Sequence, residues 1–167
     1  AGGTVLTDYA TTSACTNAAG TAVTVGGSAL APSITIPQSV TGASANGRAQ
    51  TITCTLTNTR RPTITLTKAL GGNRAAATDQ FTVALRTGGV GGAVVNSTAN
   101  STTTGATNVV TAGTGTTGAF TATAGTAYTL TEAASGTTNF SQYDSAITCT
   151  DSSGLQTGLP TGAAYTV

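Results

Sequence analysis

At 167 residues the chain can form one ordinary domain or two small ones, and it is long enough to bury a core without external staples. Only 7 % of it is charged, and a net charge of +1 from five scattered Arg and one Lys provides no basic stripe for phosphate contacts, so nucleic acid is not an expected partner. With no histidine and no C-x-x-C pair, nearly every zinc or haem signature is removed, and neither a metal nor a cofactor is expected.

Roughly a quarter of the residues are threonine, whose β-branched side chain favours strands, while the helix formers Glu, Lys, Gln and Met are scarce or absent. The expected class is all-β. Low net charge suits a protein whose working state is an assembly. No apolar run reaches the length of a membrane-spanning helix, and the chain starts without Met, a basic n-region or an apolar h-region, as a processed or excerpted chain would. The cysteines, Cys15, Cys54 and Cys149, read as disulfide formers and imply an oxidising, extracellular setting. Three is odd, so one of them lacks a partner within the chain.

In chain order, strands are expected near 21–25 and 33–36, the latter bracketed by Pro32 and Pro37 and therefore short or at an edge. From Gln50 to Asn58 the chain alternates, placing Ile52, Cys54, Leu56 and Asn58 on one face of a strand. Thr59-Arg60-Arg61-Pro62 interrupts this pattern, which resumes as a strand over 62–68 with Ile64, Leu66 and Lys68 on one face and three threonines on the other. Asn58 and Lys68 are thus both expected to point toward a core. Further strands are expected over 79–86, with Phe81, Val83 and Leu85 inward, and over 107–111, 117–123, 126–132 and 145–150. Between 87 and 104 the Gly, Ser, Asn and Thr content suits long loops or an irregular hairpin around Val94 and Val95.

An internal repeat crosses these elements. Tyr9 and Tyr143, Cys15 and Cys149, and Gly20 and Gly154 are each 134 residues apart, and Gly2 and Thr4 match Gly136 and Thr138 at the same offset. Residues 1–33 therefore overlay 135–167, and the chain spans a repeat boundary. On this reading residues 1–58 are the closing strands of one β-sandwich unit, 59–61 a short linker, and 62–167 the opening strands of the next. The missing closing strand comes from an adjacent identical copy, through tandem repetition or strand complementation, and both give a linear array.

The only lysine, Lys68, and the only glutamate, Glu132, end alternating strands. Tyr128, Leu130 and Glu132 share a face as Ile64, Leu66 and Lys68 do. An unpaired buried ammonium or carboxylate costs several kcal/mol or more, so the two are expected together or chemically altered, with Asn58 as a third party.

Thr-Leu-Thr-Lys68 in an opening strand, Tyr128-Thr-Leu-Thr-Glu132 and Cys54-Thr-Leu-Thr-Asn58-Thr together resemble collagen-adhesin B-type domains. These domains, also called SpaA-like or prealbumin-like, belong to bacterial surface proteins and pili, and the resemblance covers most of the chain. It implies prealbumin-like (Ig-like) β-sandwich units and a structural role in an extracellular cell-surface fibre, pilus or giant adhesin. It further implies an autocatalytic isopeptide bond, with Lys68 as nucleophile, Glu132 as the catalytic proton shuttle and Asn58 as the type of electrophile. Desolvation favours a neutral amine and a protonated acid, the forms that such a reaction uses. In that family the lysine precedes the asparagine, whereas here Asn58 precedes Lys68, so Lys68 is expected to bond the Asn58 equivalent of an adjacent copy. A permuted single domain with the bond inside one chain is the competing arrangement.

Blander readings stand beside this one. Lys68 could snorkel from a strand end beside a surface Glu132, as an ordinary weak pair. Cys15 with Cys54 as a disulfide is favoured over free core thiols, leaving Cys149 to await the Cys54 equivalent of the next copy. Asp8, Asp79, Asp144 and Asp151 are dispersed, without calcium-loop spacing, and neither a glycosidase pair nor a histidine base is present, so conventional enzyme function is not expected. The Gly88–Gly92 stretch lacks the Lys and helix of a phosphate loop. A module that binds a host or glycan ligand through the 87–104 loops, and an ice-binding protein displaying Thr-x-Thr faces, are the alternative functions.

Overall fold

The computed structural model describes residues 6–35, 51–152 and 161–162. The repeat matches at Gly2, Thr4 and Gly154 lie outside them, as does the Ile36 end of the strand expected over 33–36. The chain divides into two compact units, Ala1–Pro62 and Thr63–Val167.

In the first unit a short 3-10 turn at Leu6–Asp8 leads into β1 (Tyr9–Asn17). The chain then reverses through a turn in which the Asn17 side chain accepts hydrogen bonds from the amides of Ala19 and Thr21. β2 (Ala22–Val23) follows, then β3 (Val25–Ser28) and β4 (Ala31–Ile34), which form a hairpin of their own with Ser28 opposite Ala31. Gly27 in this hairpin has φ +80°, and a Cβ there would lie 2.4 Å from the Ala31 carbonyl oxygen, so the tight reversal requires glycine. β5 (Ile52–Arg60) returns antiparallel to β1 along its whole length, giving the order β2-β1-β5.

β1 was not among the expected strands. Its sequence, YATTSACTN, carries small side chains where large apolar ones would reveal a period of two, yet its burial alternates and Cys15 is buried. Cys15 stands directly opposite Cys54, and the two form a disulfide, as favoured from the sequence. The strand expected near 21–25 is broken in two at Thr24, and that expected over 33–36 begins earlier, at Ala31.

The second unit is built around β7 (Asp79–Thr87), the middle strand of a sheet in the order β10-β7-β8. Before it, β6 (Thr63–Ile64) pairs with β9 (Phe120–Thr121). After it come β8 (Ala93–Val94) and β10 (Tyr128–Gly136), a 3-10 turn at Phe140–Gln142, β11 (Ile147–Thr148) and β12 (Thr161–Gly162). Phe81, Val83 and Leu85 are buried as expected, and Ala84 and Ala122 join them.

Several expected strands contract. The 62–68 strand keeps ladder pairing only at its start, and from there Thr67 bridges Thr116 and the Lys68 amide donates to Gly115. Residues 107–111 form no strand: Asn108-Val109-Val110 lies in a loop between the positive-φ residues Gly105 and Gly113, with Val109 exposed. Strand structure survives only at 120–121 within 117–123 and at 147–148 within 145–150, whereas the strand expected over 126–132 extends to Gly136.

The Thr-x-Thr runs at Thr53, Thr55 and Thr57 and at Thr63, Thr65 and Thr67 face outward as expected, whereas Thr131 of the run on β10 is buried, as are Thr103 and Thr117 outside such runs. Each satisfies its hydroxyl internally: Thr103 accepts from the Phe81 amide, Thr117 from the Leu66 amide, and Thr131 donates to the Ala84 carbonyl. A buried hydroxyl is tolerated when it is hydrogen-bonded: those of Thr103 and Thr117 lie outside the ladders, whereas that of Thr131 bonds the residue it faces across β7 and β10.

Candidate functional site

On β10, Glu132 stands opposite Val83, Leu130 opposite Leu85 and Ala134 opposite Phe81. Directly opposed residues of an antiparallel pair project to the same face. Glu132 therefore lies on the apolar face formed by Phe81, Val83 and Leu85, and only 4 % of it is exposed. The Lys68 ammonium lies 2.7 Å from Glu132 Oε1 and 4.7 Å from the centroid of the Phe81 ring. Its side chain retains 18 % exposure, against 3 % for that of Glu132. Despite its closeness, the ammonium does not approach Oε1 along a hydrogen-bonding direction, and this buried oxygen has no hydrogen-bond partner. The pair is thus held together by charge, with an acceptor left over.

Lys68 is brought there by close strand passage. Its amide donates to Gly115, and Thr117 donates back to Leu66. A Cβ on Gly115 would lie 2.6 Å from Thr103 Cγ2 and 3.4 Å from Lys68 Cβ, so this glycine, at φ +62°, lets the two segments meet. Phe81 also carries the aromatic cluster beneath the pair, 5.0 Å from Tyr143 in a T-shaped contact and 6.0 Å from Phe140.

Asn58 belongs to the first unit, at the register position opposite Thr11, and accepts a hydrogen bond at Oδ1 from the Thr11 hydroxyl at 2.7 Å. It was expected to point toward a core, but it is exposed. Leu6, Leu30 and Leu56 beside it are exposed by 51 %, 65 % and 59 %. Together with Thr11 and Pro32 these residues line a shallow groove of about 150 Å³. Among the described residues of this unit only Cys15 is a buried apolar side chain, so the apolar row on β5 has nothing over it. Cys149 is half-buried and carries no disulfide. The structure thus brings Lys68 and Glu132 together, places Asn58 in a separate groove and unites Cys15 with Cys54.

Sequence reasoning missed a buried polar cluster in the second unit. The Asp79 carboxylate accepts from the Tyr143 hydroxyl at 2.6 Å, the Thr137 hydroxyl at 2.7 Å and the Ala76 amide at 2.9 Å. Arg74, itself buried, reaches the carbonyls of Asp79, Thr104 and Thr107 and the Gln80 side chain. The 3-10 turn and the start of the repeated Tyr-x5-Cys segment are therefore tied to the root of β7. A signal was present, since Tyr143 is one of the residues that define the repeat.

The Tyr143 hydrogen bond, then those of Thr137 and Ala76, hold the Asp79 carboxyl below its ordinary range, with Arg74 adding to the effect. Burial, then the Asp79 hydrogen bond, pushes the Tyr143 phenol above its own range. A lowered acid contributes stability above its unfolded value, near 3.9, that is lost as pH falls through the folded value. A raised phenol contributes stability below about 10 that is lost as pH rises through the folded value. Thermal melts from pH 2 to 11 are therefore expected to show a plateau bounded by both limbs. Tyr143→Phe is expected to shift the acid limb to higher pH and diminish the alkaline one, and an unchanged profile would contradict the assignment.

Among the described residues no cluster of three or more His, Cys, Asp or Glu could hold a metal, and no helix is long and apolar enough to cross a membrane. A family model described as a prealbumin-like fold domain matches residues 1–60 and, separately, 63–167. No curated protein and no solved structure matches the chain.

Proposed function

Because the chain belongs to the SpaA-like prealbumin-fold family, we propose that it is a structural repeat unit of an extracellular fibre, pilus or giant adhesin, joined covalently to adjacent identical copies. The carrying observation is the Lys68–Glu132 pair: two opposite charges set on an apolar face, one buried carboxylate oxygen without a hydrogen bond, and an aromatic ring under the ammonium. As a stabilising device such a pair is poor, since desolvation offsets much of its attraction. As a reaction centre it is apt. A proton passed from ammonium to carboxylate gives a neutral amine beside a protonated acid, which is the nucleophile and the proton donor for amide exchange.

The electrophile is the Asn58 carboxamide of an adjacent copy. Its apolar groove on the first unit is uncovered, whereas the opening strands of the second unit carry the amine. Residues 1–58 are then the closing strands of one unit, and residues 62–167 open the next, which the closing strand of an adjacent copy completes. The two separate family matches, 1–60 and 63–167, support this division. Cys149 occupies the Cys15 position of the repeat, and because Cys15 already holds Cys54 within the chain, the partner of Cys149 in a tandem array would be the Cys54 equivalent of the following repeat. Each joint would then carry one isopeptide bond, with a disulfide added where the repeats are consecutive in one polypeptide.

Denaturing gels and intact mass test this reading. The purified chain is expected to give a ladder of multimers both without and with reductant, each joint lacking the mass of one ammonia. Lys68→Ala is expected to abolish this ladder. A single species at the uncorrected mass under both conditions would overturn the proposal.

A further inference from the structure

The groove that holds Asn58 contains a side chain aimed at the reacting group itself. Thr11 stands opposite Asn58 in the β1–β5 register, and its hydroxyl donates to Oδ1 at 2.7 Å. We infer that Thr11 is the electrophile-activating residue of the cross-link: its hydroxyl polarises the Asn58 carbonyl and stabilises the oxyanion formed when a lysine amine attacks. This rests on the proposed Lys68–Asn58 bond and adds to it a partner that lies in the first unit, away from Glu132.

The placement fits the chemistry in three respects. First, a carboxamide is a poor electrophile until its oxygen is hydrogen-bonded, and a fixed donor already in place needs no reorganisation during attack. Second, with Oδ1 committed to Thr11, the planar amide turns Nδ2, the leaving group, away from the donor. Third, Leu6, Leu30, Leu56 and Pro32 wall the groove, so docking of an opening strand would exclude water and strengthen the Thr11 hydrogen bond. The repeat preserves the feature: Ser145 lies 134 residues after Thr11, so a hydroxyl stands at the corresponding position of the second unit.

The step balances without any further reactant. The neutral Lys68 amine of one copy attacks Asn58 Cγ of another, and Thr11 stabilises the charge gathering on Oδ1. Glu132 carries a proton from the attacking nitrogen to Nδ2. The Cγ–Nδ2 bond breaks, ammonia leaves, and a secondary amide joins the chains.

The test mixes two full-length chains, one Lys68→Ala and one Asn58→Ala, so that only Asn58 of the first can bond Lys68 of the second. Bond formation is followed by denaturing, reducing gel and by mass, and the first-order rate is taken at saturating partner concentration. Adding Thr11→Val to the Lys68→Ala chain is expected to slow that rate about 100-fold, the effect of losing one oxyanion donor, with the half-saturating concentration unchanged. Thr11→Ser is expected to recover most of the rate. Formation of the Cys15–Cys54 disulfide in each variant verifies that β1 and β5 still pair. If the Thr11→Val chain bonds at the parent rate, the role of Thr11 is overturned while the bond stands. If the parent mixture forms no bond, both fall.

Discussion

Replacing Phe81 with Ala is expected to destabilise the second unit by about 3–5 kcal/mol, the range for truncating a fully buried aromatic side chain. Phe81 is 1 % exposed and sits at the centre of β7, in contact with the rings of Phe140 and Tyr143 and beneath the Lys68 ammonium. Among the described residues of this unit few other large apolar side chains are buried, so its neighbours have little with which to refill the space. Urea unfolding of the Asn58→Ala chain, which cannot form the proposed isopeptide bond, followed by circular dichroism, measures the change. A loss below about 1 kcal/mol would mean that the site collapses to fill the cavity.

Lys68→Met is expected to have the second largest effect, on the order of 3 kcal/mol in the same background, toward the low end for breaking a buried pair because the ammonium keeps partial solvent contact. The cause is Glu132, left on an apolar face with no opposing charge and with Oε1 still lacking a hydrogen bond. Lys68→Met with Glu132→Leu is expected to recover most of the loss, since replacing both members of such a pair by apolar groups is often neutral or stabilising. Equal, additive losses in the double-mutant cycle would instead describe two uncoupled surface groups. The cycle thus distinguishes the site described here from a snorkelling lysine beside a surface acid.

The all-β class was legible because β-branched threonine dominates the chain, and β7 was legible because Phe81, Val83 and Leu85 alternate with smaller or polar side chains. The meeting of Lys68 and Glu132 followed from their scarcity and their place at the ends of two alternating runs. β1 escaped notice because Ser13, Ala14 and Thr12 carry no hydropathy contrast. Its strand character comes from pairing with β5 and from the cross-strand disulfide. The 107–111 loop misled for the opposite reason: Val109 and Val110 favour strands, but among the described residues no strand pairs with them. The buried threonines could not be told from exposed ones, because a hydroxyl suits either place once a backbone partner is found. The Asp79 cluster was hidden for a similar reason, as its members are spread from residue 74 to residue 143 and converge only on folding.

β5 runs to Arg60 and β6 begins at Thr63, so only Arg61 and Pro62 lie between the last paired residue of one unit and the first of the next. Two residues span at most about 7 Å, and the Arg61 amide is already tied to Asp8. In mechanical terms the joint has almost no extensible length. Tension applied along an array would pass from β5 into the Lys68 segment, reaching the proposed cross-links before the Gly88–Gly92 loop ahead of β8. That loop would stay slack while the strands bear the load.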